Sequence, residues 1–182
     1  MTNVAPRGVP SLPWVSAFAE INVRTYVRVG DRPGVFFFSL DAASALAVQT
    51  ARTLLNLPYY TALMQVTVDA AGKVEYQSER QSAPADFRAT YGAIGPASPP
   101  LPGSLEYFLT ERYCLYHVHH TGTPYRLEIH HPPWPIQRAE ATIARNTMAA
   151  AGGLVLRDEA PLLHFAKRQD MVAWPPQSIA SA

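Results

Sequence analysis

A chain of 182 residues with 48% apolar content is the size of one ordinary domain, with enough core to enclose a ligand cavity. Lysine plus arginine number 15 against 14 aspartate plus glutamate, and the net charge of +1 creates no field to attract nucleic acid or an anionic membrane. The single cysteine, Cys114, excludes an internal disulfide, no window approaches the roughly 20 apolar residues of a membrane span, and "MTNVAPRGVPSLPWVSAF" lacks the basic start and apolar run of a secretory signal, so a soluble cytoplasmic protein is expected.

The 17 prolines cluster in "RGVPSLPW", "GPASPPLPGS", "HHPPWP" and "AWPPQS", where they break ladders and form the joints of the chain. Between these joints the dominant period is two. Residues 21–29, "INVRTYVRV", alternate Ile21, Val23, Thr25, Val27 and Val29 with Asn22, Arg24, Tyr26 and Arg28, the pattern of a half-apolar strand. "DRPG" is expected to turn the chain into the buried strand "VFFFSL", and Asp41 to cap the alanine- and leucine-rich helix that follows. A strand over about 60–68 turns back through "DAAGK" into "VEYQSER", and "DFRATY" reads as another. Ser104 is placed to cap a short helix in "SLEYFLT". "RYCLYHVHH" and "YRLEIHH" form a hairpin about "TGTP", a helix is expected over roughly 136–151 up to Gly152, and "LLHFAKR" and "DMVAW" close the chain as strands. Many antiparallel strands with two helices make an α+β fold, a curled sheet or partly closed β-barrel with the helices packed outside.

Six stretches, "INVRTYV", "PGVFFFSLDAA", "LPYY", "GSLEYFLTERYCLY", "IHHPPWP" and "LLHFAKRQDMVAWPP", occur in the order typical of the YqjF-like family, domain of unknown function 2071. The resemblance runs from about residue 10 to residue 176. It implies an acetoacetate-decarboxylase-like barrel with a small-molecule pocket, a single domain over 1–182, and a chain lacking the N-terminal strands that family members carry. Acetoacetate decarboxylase acts through a Schiff-base lysine. Here the two lysines are Lys73, in a turn, and Lys167, beside Arg168, and neither falls in the "FLTERY" region where the resemblance would place such a lysine.

The polar face of the first strand offers one candidate site. If it lines the barrel, Arg24 can hold a carboxylate in a bidentate pair, with Asn22 and Tyr26 orienting it and with Glu106, Glu111, Arg112 and Tyr113 on the opposing wall. A desolvated Glu106 or Glu111 would then serve as general acid or base. The alternative is a buried Arg–Glu network that sets register and binds nothing.

"LEIHHPPWP" raises the question of whether His130 or His131 enters the cavity, since consecutive strand residues face opposite ways. His130 shares a parity with Glu128 and is the catalytic candidate. The structural reading ends the ladder at the prolines and packs Trp134 against the barrel, where it also counts as a ligand-binding candidate. If the turn pairs His120 with Tyr125, then His117, His119, Glu128 and His130 share one face and could hold a divalent metal. A solvated hairpin tip explains the same histidines. Cys114 and Phe36–Phe38 are expected in the core, and no cofactor is implied. The expected role is to bind, or act on, a small carboxylate or carbonyl compound without a Schiff base. A non-catalytic structural or interaction domain, able to form a homo-oligomer through strand edges, is the alternative.

Overall fold

The computed structural model describes residues 18–55, 57–119 and 121–179. Strand β1 (Glu20–Val29) pairs antiparallel with β2 (Arg32–Ala42) through a two-residue turn, Gly30–Asp31. Gly30 has φ +57°, the left-handed conformation such hairpins need, so the turn lies two residues earlier than "DRPG" suggests and Pro33 is already in β2. Val23 pairs with Ser39 but Arg24 pairs with Phe37, which leaves Phe38 as the extra residue of a β-bulge.

β2 is the junction of the sheet. Along its other edge it takes β6 (Cys114–Val118) at Val35–Phe36 and β3 (Tyr59–Val68) at Leu40–Ala42, both in parallel. From β3 an antiparallel wing continues through β4 (Val74–Arg80), β5 (Asp86–Ser98), β8 (Ile136–Asn146) and the two-residue β9 (His164–Phe165). From β6 a second wing runs to β7 (Pro124–His130), whose far edge carries the short strands β10 (Val172–Ala173) and β11 (Gln177–Ser178). The result is a curled, mixed, mostly antiparallel sheet, and among the described residues no ladder joins its two wings into a closed barrel.

Helix α1 (Ala45–Leu55) packs on β2 and β3. Its N-terminus is capped by Ser44, whose Oγ accepts the Ala47 N–H at 3.2 Å, and not by Asp41. Asp41 is fully buried on β2 and forms a bidentate pair with Arg80 of β4, at 2.7 and 2.8 Å. The Arg80 guanidinium lies 4.0 Å from the Tyr60 ring centroid, so the strand between them covers the ion pair with an aromatic face. Val35, Leu40, Ala62, Val74, Tyr76 and Leu127 contribute to the surrounding apolar core.

Two expectations need correction. Residues 136–146 form strand β8 and not a helix, and the only helical turn near them is α3 (Met148–Ala151). Alanine and arginine favour helix by tenths of a kcal/mol per residue, which is less than a long ladder on β5 and burial of one face supply. The β6–β7 hairpin is also shifted: His117 lies across from Tyr125 and Cys114 across from Glu128. Its loop spans 119–123, held by the His119 N–H to the Thr123 carbonyl at 2.8 Å and by Gly122 at φ +86°. The "TGTP" turn is therefore wider than a tight hairpin, and the register moves by three residues.

Candidate functional site

α2 (Leu105–Thr110) begins as the sequence suggests, with Ser104 Oγ accepting the Tyr107 N–H at 3.1 Å. The helix lies against β1: the Tyr26 hydroxyl donates to the Leu109 carbonyl at 3.0 Å, and the Tyr26 and Phe108 rings are 5.2 Å apart. Between helix and strand is an open concavity of about 470 Å³. Tyr26, Val27, Pro33 and Phe108 supply its apolar lining, and Arg28, Asp31 and Arg112 its charges.

The two arginines differ. Arg28 is exposed and already engaged, with Nε donating to the Gly30 carbonyl at 3.0 Å and Nη2 to Asp31 Oδ1 at 3.2 Å. Arg112 is only 8% exposed, and among the described residues no carboxylate pairs with it. Its Nη1 donates to the Glu111 carbonyl at 2.9 Å, its guanidinium lies 4.2 Å from the Phe108 ring centroid and 5.7 Å from that of Tyr26, and its Nε is buried without a partner. Removal from water pulls its pKa below the usual guanidinium value, against an opposing effect of Tyr26 and Tyr107.

Behind Arg112 the chain is held by a second cluster. Glu111 is buried, and its carboxylate accepts the Tyr113 hydroxyl at 2.5 Å, the Trp134 backbone N–H at 3.2 Å and the Thr110 hydroxyl at 3.4 Å. The hydrogen bond to Glu111, followed by burial, pushes the Tyr113 pKa up to about 12. His131 is buried, with its Nδ1 2.8 Å from the Pro132 carbonyl and its Nε2 3.2 Å from the Arg112 carbonyl. Its ring stacks on Tyr113 at 4.7 Å and meets Trp134 edge-on at 5.8 Å. "HHPPWP" thus ties the start of β6 in place through backbone groups.

These positions redraw the candidate list. Asn22 and Arg24 are exposed, and β1 reaches the concavity only at Tyr26 and beyond. Arg24 does not face Glu111; its guanidinium lies 5.9 Å from the Tyr26 ring centroid. Glu111 and Arg112, both placed by the sequence on the wall opposing Arg24, turn to different partners, the carboxylate to Tyr113 and the guanidinium to Phe108. Tyr113 and Trp134 belong to the cluster behind the concavity. Glu106 is 3.7 Å from His164 Nε2. His130 is exposed at the end of β7, across from Val172, and it is His131 that turns inward.

The shifted hairpin also separates the metal candidates. His117 and Glu128 point to opposite faces, and His119 lies beyond the strand. Glu128 instead bridges Arg32 at 2.6 Å and Arg126 at 2.9 Å. No group of three or more such ligands forms a metal cluster among the described residues. Phe108, Pro33 and Asp31 were not anticipated as site residues. Helical spacing does not signal the meeting of Phe108 with Arg112, because Arg112 follows the C-cap of α2, Glu111, whose backbone leaves the helical conformation.

The chain matches DUF2071, "Uncharacterized conserved protein (COG2071)", over residues 1–170. It is 43% identical over 176 residues to uncharacterized protein YqjF of Bacillus subtilis (strain 168), spanning 96% of this chain and 72% of that one. Acetoacetate decarboxylase from Legionella pneumophila superposes with a TM-score of 0.60 at 17% identity, covering 91% of this chain and 68% of that one. The enduracididine biosynthesis enzyme MppR superposes with a TM-score of 0.56 in a HEPES-bound form, at 10% identity over 92% of this chain and 66% of that one. In its complex with pyruvate the TM-score is 0.51, at 12% identity over 90% of this chain and 65% of that one. The fold is acetoacetate-decarboxylase-like, and the chain belongs to the DUF2071 family.

Proposed function

We propose that this protein binds a small carboxylate, or a carbonyl compound bearing one, in the concavity between β1 and α2. Arg112 carries the reading: it is a buried cation without a carboxylate partner, beside open space, and its Nε is unsatisfied. Burying an uncompensated charge is costly, and a bound carboxylate would supply the missing counter-charge. With Nη1 engaged by the Glu111 carbonyl and Nε closed off from solvent, Nη2 is the nitrogen left to meet a carboxylate in a charge-assisted hydrogen bond. Lys73 and Lys167 are exposed and do not line the concavity, so the reading needs no Schiff base. MppR in complex with pyruvate indicates that a related fold can hold a keto acid.

Titration calorimetry with acetate, pyruvate and their uncharged amides tests this. Carboxylates should bind and amides should not, and Arg112→Met should weaken binding about tenfold to a hundredfold, the value of a charge-assisted hydrogen bond or pair. Carboxylate affinity unchanged in a folded Arg112→Met variant would sink the proposal.

A second reading has its own observation in favour. The Glu111 carboxylate is occupied by Tyr113, Trp134 and Thr110, as a network that sets register and does no chemistry would be. We therefore infer binding, with turnover to be judged by product formation alone.

A further inference from the structure

The concavity has a charge balance and a wall composition that together narrow the acid it takes. We propose that the ligand is a monocarboxylic acid with an apolar body, and that Asp31 is the residue that sets this preference by neutralising Arg28 at the rim. This rests on the reading of Arg112 as the carboxylate anchor.

Two cations and one anion line the space. Arg28 Nη2 is 3.2 Å from Asp31 Oδ1, and Arg28 Nε is engaged by the Gly30 carbonyl, so Arg112 is the cation without a counter-charge. One fixed positive charge matches one carboxylate. A second carboxylate at the rim would meet Asp31 and would have to compete with it for Arg28, a repulsive element that selects against diacids. The turn geometry favours this arrangement: Asp31 is the second residue of the two-residue turn and Arg28 lies two residues before Gly30, so the hairpin keeps their backbones close independently of any ligand.

The walls select the rest of the molecule. Phe108 and Tyr26 present rings, and Val27 and Pro33 complete an apolar lining. The Tyr26 hydroxyl is already donated to the Leu109 carbonyl, and the other polar side chain that β1 brings to the concavity, Arg28, is engaged by Gly30 and Asp31. A ligand body rich in hydroxyls or charges would lose its hydration here without recovering hydrogen bonds, whereas an aromatic or branched aliphatic body would bury apolar surface. The volume of about 470 Å³ falls in the range of small-ligand pockets and leaves room for a ring beside the carboxylate.

The experiment is a calorimetric comparison of benzoate, acetate, succinate and inorganic phosphate on the whole chain, in the wild type, Asp31→Asn and Arg112→Met, with folding checked by circular dichroism. Benzoate should bind at least about tenfold tighter than acetate, because burying a ring adds apolar area. Succinate and phosphate should be the weakest. Asp31→Asn, an exposed change, should improve succinate roughly three- to fivefold relative to benzoate, the scale of a solvent-screened charge at contact distance.

Equal binding of benzoate and acetate, succinate or phosphate binding as tightly as benzoate, or an Asp31→Asn variant with an unchanged succinate-to-benzoate ratio, would each overturn this inference while leaving Arg112-dependent carboxylate binding intact. Failure of every carboxylate to bind the folded wild type would overturn both.

Discussion

At Arg112 the cost of burying a charge is visible in one side chain. A buried guanidinium that stacks on Phe108, has an unsatisfied Nε and lacks a carboxylate partner is unfavourable in the free protein. Arg112→Met, which keeps the length and removes the charge, should therefore raise the melting temperature by the equivalent of about 1 kcal/mol or more while weakening carboxylate binding about tenfold to a hundredfold. Calorimetric melting and titration of the same variant check both halves. His117 makes the converse case. It is 6% exposed, stacks on Tyr125 at 5.4 Å, and among the described residues neither ring nitrogen has a hydrogen-bond partner. Burial, and then the nearby His119, lower its pKa below the ordinary imidazole value. A base with a lowered folded pKa binds fewer protons folded than unfolded, so it contributes stability above the unfolded value, and that stability is lost as pH falls below about 6.5. Thermal melts of wild type and His117→Phe between pH 8 and pH 5 should diverge in slope below that point, with the variant less sensitive to acid. Parallel curves would remove His117 from the acid response.

At the scale of elements, register is decided by backbone contact as much as by side-chain pattern. Gly34 of β2 sits where a Cβ would lie 2.6 Å from the Cys114 carbonyl oxygen and 2.6 Å from the Tyr116 ring, so β2 and β6 approach closely there. Gly34→Ala should cost about 1–3 kcal/mol by forcing this contact apart, read as a lower denaturant midpoint. The bulge at Phe38 resets the pairing of β1 midway, and β8 took the strand form against its composition because β5 offered a long edge. Neither feature has a signal in local periodicity: a bulge is one unpaired residue, and a ladder partner some fifty residues away in sequence leaves no mark on the strand that needs it.

Across the whole molecule, the Asp41–Arg80 pair ties the junction strand β2 to the β3–β4–β5 wing beneath the Tyr60 ring. Asp41→Asn would leave a buried arginine charge without its counter-ion and should destabilise by about 3–5 kcal/mol, measured by urea unfolding. A cost below about 1 kcal/mol would show that the pair is not a principal tie between the wing and the junction. The concavity proposed to take a carboxylate lies off the same junction strand, where β1 and α2 meet, so the sheet supplies stiffness and the short helix supplies the far wall.

The strands β1 to β7, the Ser104 cap and the α+β class were legible in the sequence because alternation, capping residues and glycine turns act over a few residues and depend little on what lies elsewhere. Family membership followed from the order of six short stretches. Tertiary structure alone decided which polar residues meet. Arg24 and Arg28 lie on one strand with one pattern, yet the concavity opens beside Arg28, and Glu111 and Arg112 are adjacent yet turn to different partners. Asp41 reads as a helix cap until Arg80, 39 residues later in the chain, claims it. Whether a charge is solvated, paired or left waiting for a ligand depends on what the remote chain places within a few ångströms of it, and that distance is not written in local sequence.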